Sequence, residues 1–503
     1  MKRGGLWKSI FCFFVIAPVM WGTMVLAAEL RVPSQFLYIQ DAINAAASGD
    51  VVFVADGVYT GEGNVNLLIV RAITIKSENG AEKTTIDCEG NNRAFTFRGT
   101  GTSGTVLSGF TIIGGNAASG GAILCENNAS PTISECILSG NKATNGGAIA
   151  CFQSSPIISH CVIEKNTASN GGGGLLVNGS ESNPSPTLVG CTIANNSAAR
   201  RGGGVYLLNY ASPSFYNCLI VGNSAALNGG GFYCLNQCAP DIIHCTVTGN
   251  TSGNPGSGIF CSNCLDPYNP VFTNSIIWGN VATSGAEIYL SNSLIDITFS
   301  LFNPGVGNIQ AADTKSSLWE QGNIYEDPAF VGEGDYHLSP DSPCIDSGTE
   351  QIELPESDIE GDPRVLGEGP DMGADEFVPE AEVIQVEIDI KPGCAENKIN
   401  LKSFGVLAVA VKTTPDFDAK SVDPSTVVFA EARPVWWVRY DMDRDRDKDM
   451  LFFFWIQSLN LDENSTEATL SGLTGDGQAF EGTDTVTIIK PKGKAKGWHF
   501  GRR

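Results

Sequence analysis

The chain has 503 residues, of which 42% are hydrophobic, with 58 glycines, 15 cysteines and a formal net charge of −24. Such a charge disfavours a nucleic acid as partner. Beyond the first 26 residues no stretch is long and apolar enough to span a membrane as a helix.

Residues 1–28 open with Met1-Lys2-Arg3, continue as an apolar run from Ile10 to Leu26, and end in Ala27-Ala28. A basic start, a short apolar core and a small-residue cleavage site make a secretory signal peptide. The mature protein is therefore expected outside the cytoplasm, secreted or at the cell surface. Loss of Lys2, Arg3 and Lys8 with the leader makes it more acidic still.

Residues 29–322 carry a repeat. Cys136, Cys161, Cys191, Cys218 and Cys245 are each preceded at five residues by proline and at three by an apolar residue. Each is followed at two residues by an apolar residue and at five by asparagine, from Asn141 to Asn250. A glycine cluster such as Gly146-Gly147 closes the unit. A period of 25–30 residues is that of a solenoid. The apolar runs are short, rich in Ile, Val, Leu and Phe, and bounded by Gly, Asn, Ser and Pro, so they are strands. No unit has room for a strand and a packed helix. Three short strands per coil, stacked at the ~4.8 Å spacing of a sheet, make a parallel β-helix.

Weaker units extend the array, with Leu107, Phe110 and Ile112 upstream and Phe272, Ser275, Ile277 and Asn280 downstream. The cysteine row is expected in the core as stacked thiols, acting as a small hydrophobe. The asparagine row is expected at a turn, bonding coil to coil. Cys234, Cys238, Cys261 and Cys264 imitate zinc spacing, but the repeat period already accounts for the gap between the two pairs.

The GGAIL at 120–124 and GGAIA at 146–150 resemble elements of chlamydial polymorphic outer membrane proteins, as do the Leu138-x-x-Asn141 and Ile163-x-x-Asn166 runs. The opening stretch resembles the pectin-lyase-like superfamily, with residues 38–43 as a capping helix and 51–59 as the first coil. That resemblance implies a right-handed parallel β-helix. It does not imply one activity, since the superfamily holds lyases, hydrolases, adhesins and scaffolds.

Residues 323–377 leave the repeat and show DYHL at 335–338, SPCIDSG at 342–348 and DMGADEF at 371–377. These resemble the closing region of secreted bacterial β-helix proteins of the choice-of-anchor kind, which implies a C-terminal cap. A solenoid end exposes unpaired strand edges and needs one. Residues 378–385 are expected as a linker. Alternating runs at 405–412, 435–440, 450–456 and 484–489 place a small antiparallel β-sandwich at 386–490. Residues 491–503 form a basic tail. The whole is all-β, and a monomer is expected.

Two groups of residues carry candidate chemistry. Asp441, Asp443, Asp445, Asp447 and Asp449 alternate with Met442, Arg444, Arg446 and Lys448. Asp441, Asp443, Asp445 and Asp449 fit the D-x-D-x-D-x-x-x-D spacing of a calcium loop. Arg446 stands where that turn usually has glycine, and Phe452 where an EF-hand has its bidentate glutamate. A structural Ca²⁺ is expected there; the competing reading is a solvated turn whose acids pair with its own cations.

On the solenoid, Arg200, Arg201, Glu164 and Asp241 are the weak catalytic candidates. Hydrolysis by paired acids needs two carboxylates a few ångströms apart, and the sequence shows no such cluster. The expectation is a non-catalytic protein binding carbohydrate or another surface component. The alternatives are a polysaccharide lyase or glycosidase acting on an acidic polysaccharide, and a spacer whose C-terminal module binds.

Overall fold

The computed structural model describes residues 27–181, 185–303, 305, 308–352, 355–379, 383–394, 396–442 and 446–489. The expected leader therefore lies, up to residue 26, outside the described residues, as does the expected basic tail. The chain divides into two units, Met1–Val378 and Pro379–Arg503.

In the first unit each coil turns through short strands that stack in parallel on the coils before and after it. The result is the expected right-handed parallel β-helix. Its first sheet takes 12 strands, its second 10 and its fourth 10. Between the second and fourth the structure adds a short third sheet of 7 strands, so the coil has four strand positions where three are expected from the sequence. In one coil these are Thr132–Ser134, Ile137–Ser139, Lys142–Asn145 and Ile149–Phe152. The third strand was hidden because KATN has no apolar alternation to mark it.

Register follows the repeat. Ile133 pairs with Leu107 and Ile158, and Leu138 with Ile112 and Ile163. Ile242 pairs with Phe272, and Val247 with Ile277. The outlying units thus occupy the slots expected of them. All these side chains are fully buried.

The bend between the first and second sheets sits on the residue before each cysteine of the row, or before Ser275 in its place. Glu135, His160, Gly190, Asn217, His244 and Asn274 all have positive φ there. That left-handed conformation is cheap for Gly and tolerable for Asn and His. The glycine cluster is required for a different reason. A Cβ on Gly147 would meet the Gly173 carbonyl oxygen at 2.2 Å, because coils approach closely at that corner.

The five cysteines are buried thiols. Their slot is more polar than a hydrophobe needs. The Sγ of Cys136 donates to the Ser134 carbonyl at 3.2 Å, and that of Cys191 to the Ile158 carbonyl at 3.3 Å. This explains the serines downstream: Ser275 Oγ accepts from Cys245 N–H, and Ser300 Oγ accepts from Ser275 N–H.

The asparagine row forms one continuous ladder. In each step, Nδ2 donates to the Oδ1 of the next asparagine and to a backbone carbonyl of the preceding coil, as Asn196 does to Asn223 and Ile163.

At the start, Glu29–Val32 adds a rung before the expected first coil, pairing with Val51–Val54. The helix Ile39–Ala45 covers this end by burying Ile39, Ala42 and Ile43.

After its last rungs, Ile309–Ala311 and Ser317–Gln321, the chain turns back along the flank of the solenoid. This flank strap includes the hairpin Phe330–Gly332/Asp335–Leu338. Its Leu338, Cys344 and Met372 pack on Ile276 and Leu301, which project outward from the second sheet. Earlier coils carry Ile137, Val162, Thr192 and Leu219 in that position, all partly exposed.

The second unit is a β-sandwich of two four-stranded sheets, one built on Ala479–Thr485 and Glu467–Leu473, the other on Val406–Val411 and Asp449–Trp455. Val409, Val411, Phe429, Phe452, Phe454, Leu470 and Phe480 form its core. Its first strand, Ile384–Gln385, falls within the run expected as linker. The strand Glu467–Leu473 is absent from the sequence expectation, because Glu, Thr and Ser fill its outward positions.

Candidate functional site

The four catalytic candidates of the solenoid are not brought together. Glu164 ends a strand of the second sheet, Arg200 and Arg201 follow Ser197–Ala198 of the third, and Asp241 begins a strand of the first. Glu164 pairs with Lys165 at 3.0 Å and accepts from Ser139 Oγ at 3.1 Å. Arg201 lies over the ring of Tyr233 at 5.3 Å. Tyr233 belongs to an aromatic row on the outer side of the fourth sheet. It stacks on Phe260 at 4.7 Å, which stacks on Tyr289 at 5.1 Å. Arg201 thus shields an aromatic row.

Of the expected calcium loop, Asp443 and Asp445 lie outside the described residues. Asp449 is fully buried, its Oδ1 accepting from Thr413 N–H at 2.9 Å and its Oδ2 from Met442 N–H at 2.8 Å. It clasps the base of the turn that holds Asp441. The strand before this turn, Trp436–Tyr440, is exposed along its whole length and lies at the edge of its sheet. Trp436, Val438 and Tyr440 share an outer face with Phe453 and Trp455 of the neighbouring strand. Trp436 stacks on Phe453 at 4.5 Å, and Trp436 and Trp455 remain 44% and 49% exposed.

A buried polar network anchors the flank strap. Arg364, the lone Lys or Arg between 326 and 382, is 2% exposed. Its Nη2 donates to Asn217 Oδ1 at 3.0 Å and to the Ala374 carbonyl at 2.8 Å, while Nη1 faces Glu376 at 3.3 Å. Burial pushes the Glu376 carboxyl up to about 7, against the pull of two backbone N–H donors and of Arg364. Asp358 fixes the turn that precedes Arg364, since its Oδ1 accepts from the N–H groups of Glu360, Gly361 and Asp362.

His244, beside the cysteine row, is fully buried. Its Nδ1–H donates to the Asp371 carbonyl at 3.1 Å, and Nε2 accepts from Asn274 Nδ2 at 3.0 Å. Burial, with Arg364 nearby, lowers this imidazole to about 3, so it is neutral. The strap explains the burial: it covers the corner that leaves His160 exposed at an earlier coil.

Two open clefts lie between strap and solenoid. One of about 400 Å³ is lined by His160, Val189, Tyr216, Asn217 and residues 355–358. The other, about 350 Å³, is lined by Leu219, Asp335, Tyr336, His337, Glu360 and Asp375. In the second cleft His337 Nδ1 is 2.5 Å from Asp335 Oδ1, and Nε2 is 3.0 Å from Glu360 Oε1. Asp375 completes a trio with His337 and Glu360 whose ligand atoms lie within 4.8 Å of one another. The DYHL and DMGADEF runs stand out in the sequence, but nothing in their spacing says that the fold places them side by side. The available signal was a single arginine in a long acidic segment, implying a buried partner.

Residues 121–302 match the family model of the right handed beta helix region. No curated protein matches the chain. Among solved structures it is similar to pectate lyase Pel9A, at 15% identity over 67% of this chain and 90% of that one, with a TM-score of 0.41. It is also similar to pectin methylesterase PemA from Erwinia chrysanthemi, at 13% identity over 62% and 92%, with a TM-score of 0.25. A third is the Dettilon tailspike protein, at 10% identity over 84% and 88%, with a TM-score of 0.26.

Proposed function

We propose that the chain is an exported, non-catalytic β-helix protein that binds polysaccharide at or near a cell surface, with the second unit as the binding module and the solenoid as a spacer. The observation that carries this reading is the aromatic sheet face of the second unit. Exposed tryptophans on a sheet are costly unless covered, and a contiguous apolar patch marks a binding surface. Sugar rings present apolar C–H faces that stack on such rings and polar rims that stay hydrated. Trp436, Tyr440 and Trp455 supply the apolar body together with polar N–H and O–H tips.

The alternative is a lyase or glycosidase on the solenoid. The placement of Glu164, Arg200, Arg201 and Asp241 on three different sheets counts against it, since acid–base catalysis needs its groups within reach of one bond. A structural Ca²⁺ at the 441–449 turn belongs to the proposed reading as support for the strand that carries Trp436.

The test is co-sedimentation of the full chain with insoluble polysaccharides of neutral and acidic type. Retention is expected, with loss in a Trp436→Ala, Trp455→Ala double variant. Undiminished retention by that variant would remove the module as binder. Release of unsaturated or shortened sugars by the wild-type protein would replace the reading with the enzymatic one.

A further inference from the structure

The second cleft holds a donor set that polysaccharide binding does not use. Three separate segments of the flank strap converge there: the hairpin strand Asp335–Leu338, the turn at Glu360 and the 371–377 loop. Each contributes one group. Asp375 is more than nine-tenths buried. One of its oxygens accepts from Leu338 N–H at 3.2 Å, and the residue also lines the cleft. Buried carboxylates are retained where something positive balances them. The one guanidinium of the strap is engaged elsewhere, on Glu376, Asn217 and backbone carbonyls, so the nearest positive group is the His337 imidazole, held charged by Asp335 and Glu360, and a bound cation would take the place of its Nε2 proton.

His337 has the arrangement of a metal ligand with its support. A ligating imidazole commonly gives its second nitrogen to a carboxylate, which fixes ring orientation. Here Asp335 holds Nδ1, so Nε2 faces Glu360 and the trio. One imidazole with two carboxylates suits first-row transition ions, whereas calcium and magnesium prefer all-oxygen shells.

We propose that His337, Glu360 and Asp375 form a site for a divalent transition ion of the zinc class, with Asp335 orienting the imidazole, and that the ion ties the three segments of the strap together. The site is structural, and its open positions face the cleft.

Zinc ion itself is the probe. It is titrated by calorimetry into the metal-stripped full-length protein, alongside His337→Gln, Glu360→Gln and His499→Gln variants, with Co²⁺ absorption as a second readout. One site is expected in the wild type and in His499→Gln, with a d–d spectrum that includes nitrogen ligation. Loss of that site is expected in the other two variants. Asp335→Asn should weaken it by about 10–100-fold. Thermal midpoint should rise with zinc only where the site persists. Glu360 is exposed, so Glu360→Gln leaves a folded protein for comparison even if His337→Gln does not fold. Equal zinc uptake by the wild type and Glu360→Gln would overturn the proposal, as would absence of uptake or stoichiometric displacement of zinc by calcium.

Discussion

Glu287 terminates the asparagine ladder: its Oε1 accepts both the backbone N–H of Asn280, at 3.1 Å, and its Nδ2–H, at 2.6 Å. From Asn141 to Asn250 every asparagine finds its acceptor on the next asparagine of the row. At Asn280, the end of the row, that acceptor comes from a glutamate seven residues on in the chain, inside the solenoid and 6% exposed.

This position makes stability depend on pH. Burial pushes the Glu287 carboxyl up to about 7, from an ordinary value of 4.5. Between those values the folded protein keeps a proton that the unfolded chain has released. Stability therefore falls as pH rises through this window, and the contribution is flat below and above it. The Glu287→Gln variant should lose that part of the slope, on the order of 3 kcal/mol across the window. Denaturant midpoints of both proteins at pH 4.5 and 7.5 measure it; parallel pH profiles would contradict the assignment. Asp375 and Glu376 are also raised and contribute to both proteins alike, so the difference isolates Glu287.

Arg364→Ala should release the strap. The change strands Glu376 in a site where the side chains of both are 1% exposed. Removing one partner of a buried pair costs about 3–5 kcal/mol. Hydrogen exchange should show fast exchange over 330–376 while the ladder residues stay protected. Equal protection of the strap in both proteins would mean that apolar packing on Ile276 and Leu301 holds it unaided.

Cys191→Ser should be mild, at about 1 kcal/mol or less, because Ser275 and Ser300 already fill the same slot with good bonds. Cys191→Leu should cost about 1–3 kcal/mol by overpacking a fully buried position. Urea unfolding of the two variants orders them; a serine variant less stable than the leucine one would refute the polar reading of the slot.

For the 441–449 turn, added Ca²⁺ should raise the thermal midpoint of the second unit, and a chelator or Asp445→Asn should abolish the rise. Asp449→Ala should lower the midpoint with or without the ion, because it leaves the N–H groups of Thr413 and Met442 without their acceptor. A melting curve indifferent to chelator would rule the ion out.

The solenoid was legible because its constraint is local and recurs. Pro, apolar residue, Cys, apolar residue and Asn return in each coil, and a one-residue slip would turn Ile133 or Leu138 outward. The third strand was not legible, since KATN and its equivalents lie flat between two corners with little apolar contrast. The strap anchorage was opaque for another reason. Asn217, His244 and Asn274 look like ordinary corner residues, chosen for positive φ, until a segment up to 147 residues away lies over them. Ile276 and Leu301 gave no separate clue, since Ile137, Val162 and Leu219 hold the same outward slot in earlier coils and stay partly exposed.

The strap also sets a length. It is hydrogen-bonded to Asn217, His244 and Asn274, one residue from each of three successive coils. Its span is fixed by its own turns, so those coils must keep their number and rise. Among the described residues no hydrogen bond ties the strap to a coil before that of Asn217, so a coil inserted upstream of the cleft at His160 would lengthen the solenoid without disturbing its fastening. Coil number in this solenoid is thus constrained at the fastened end and free towards the other.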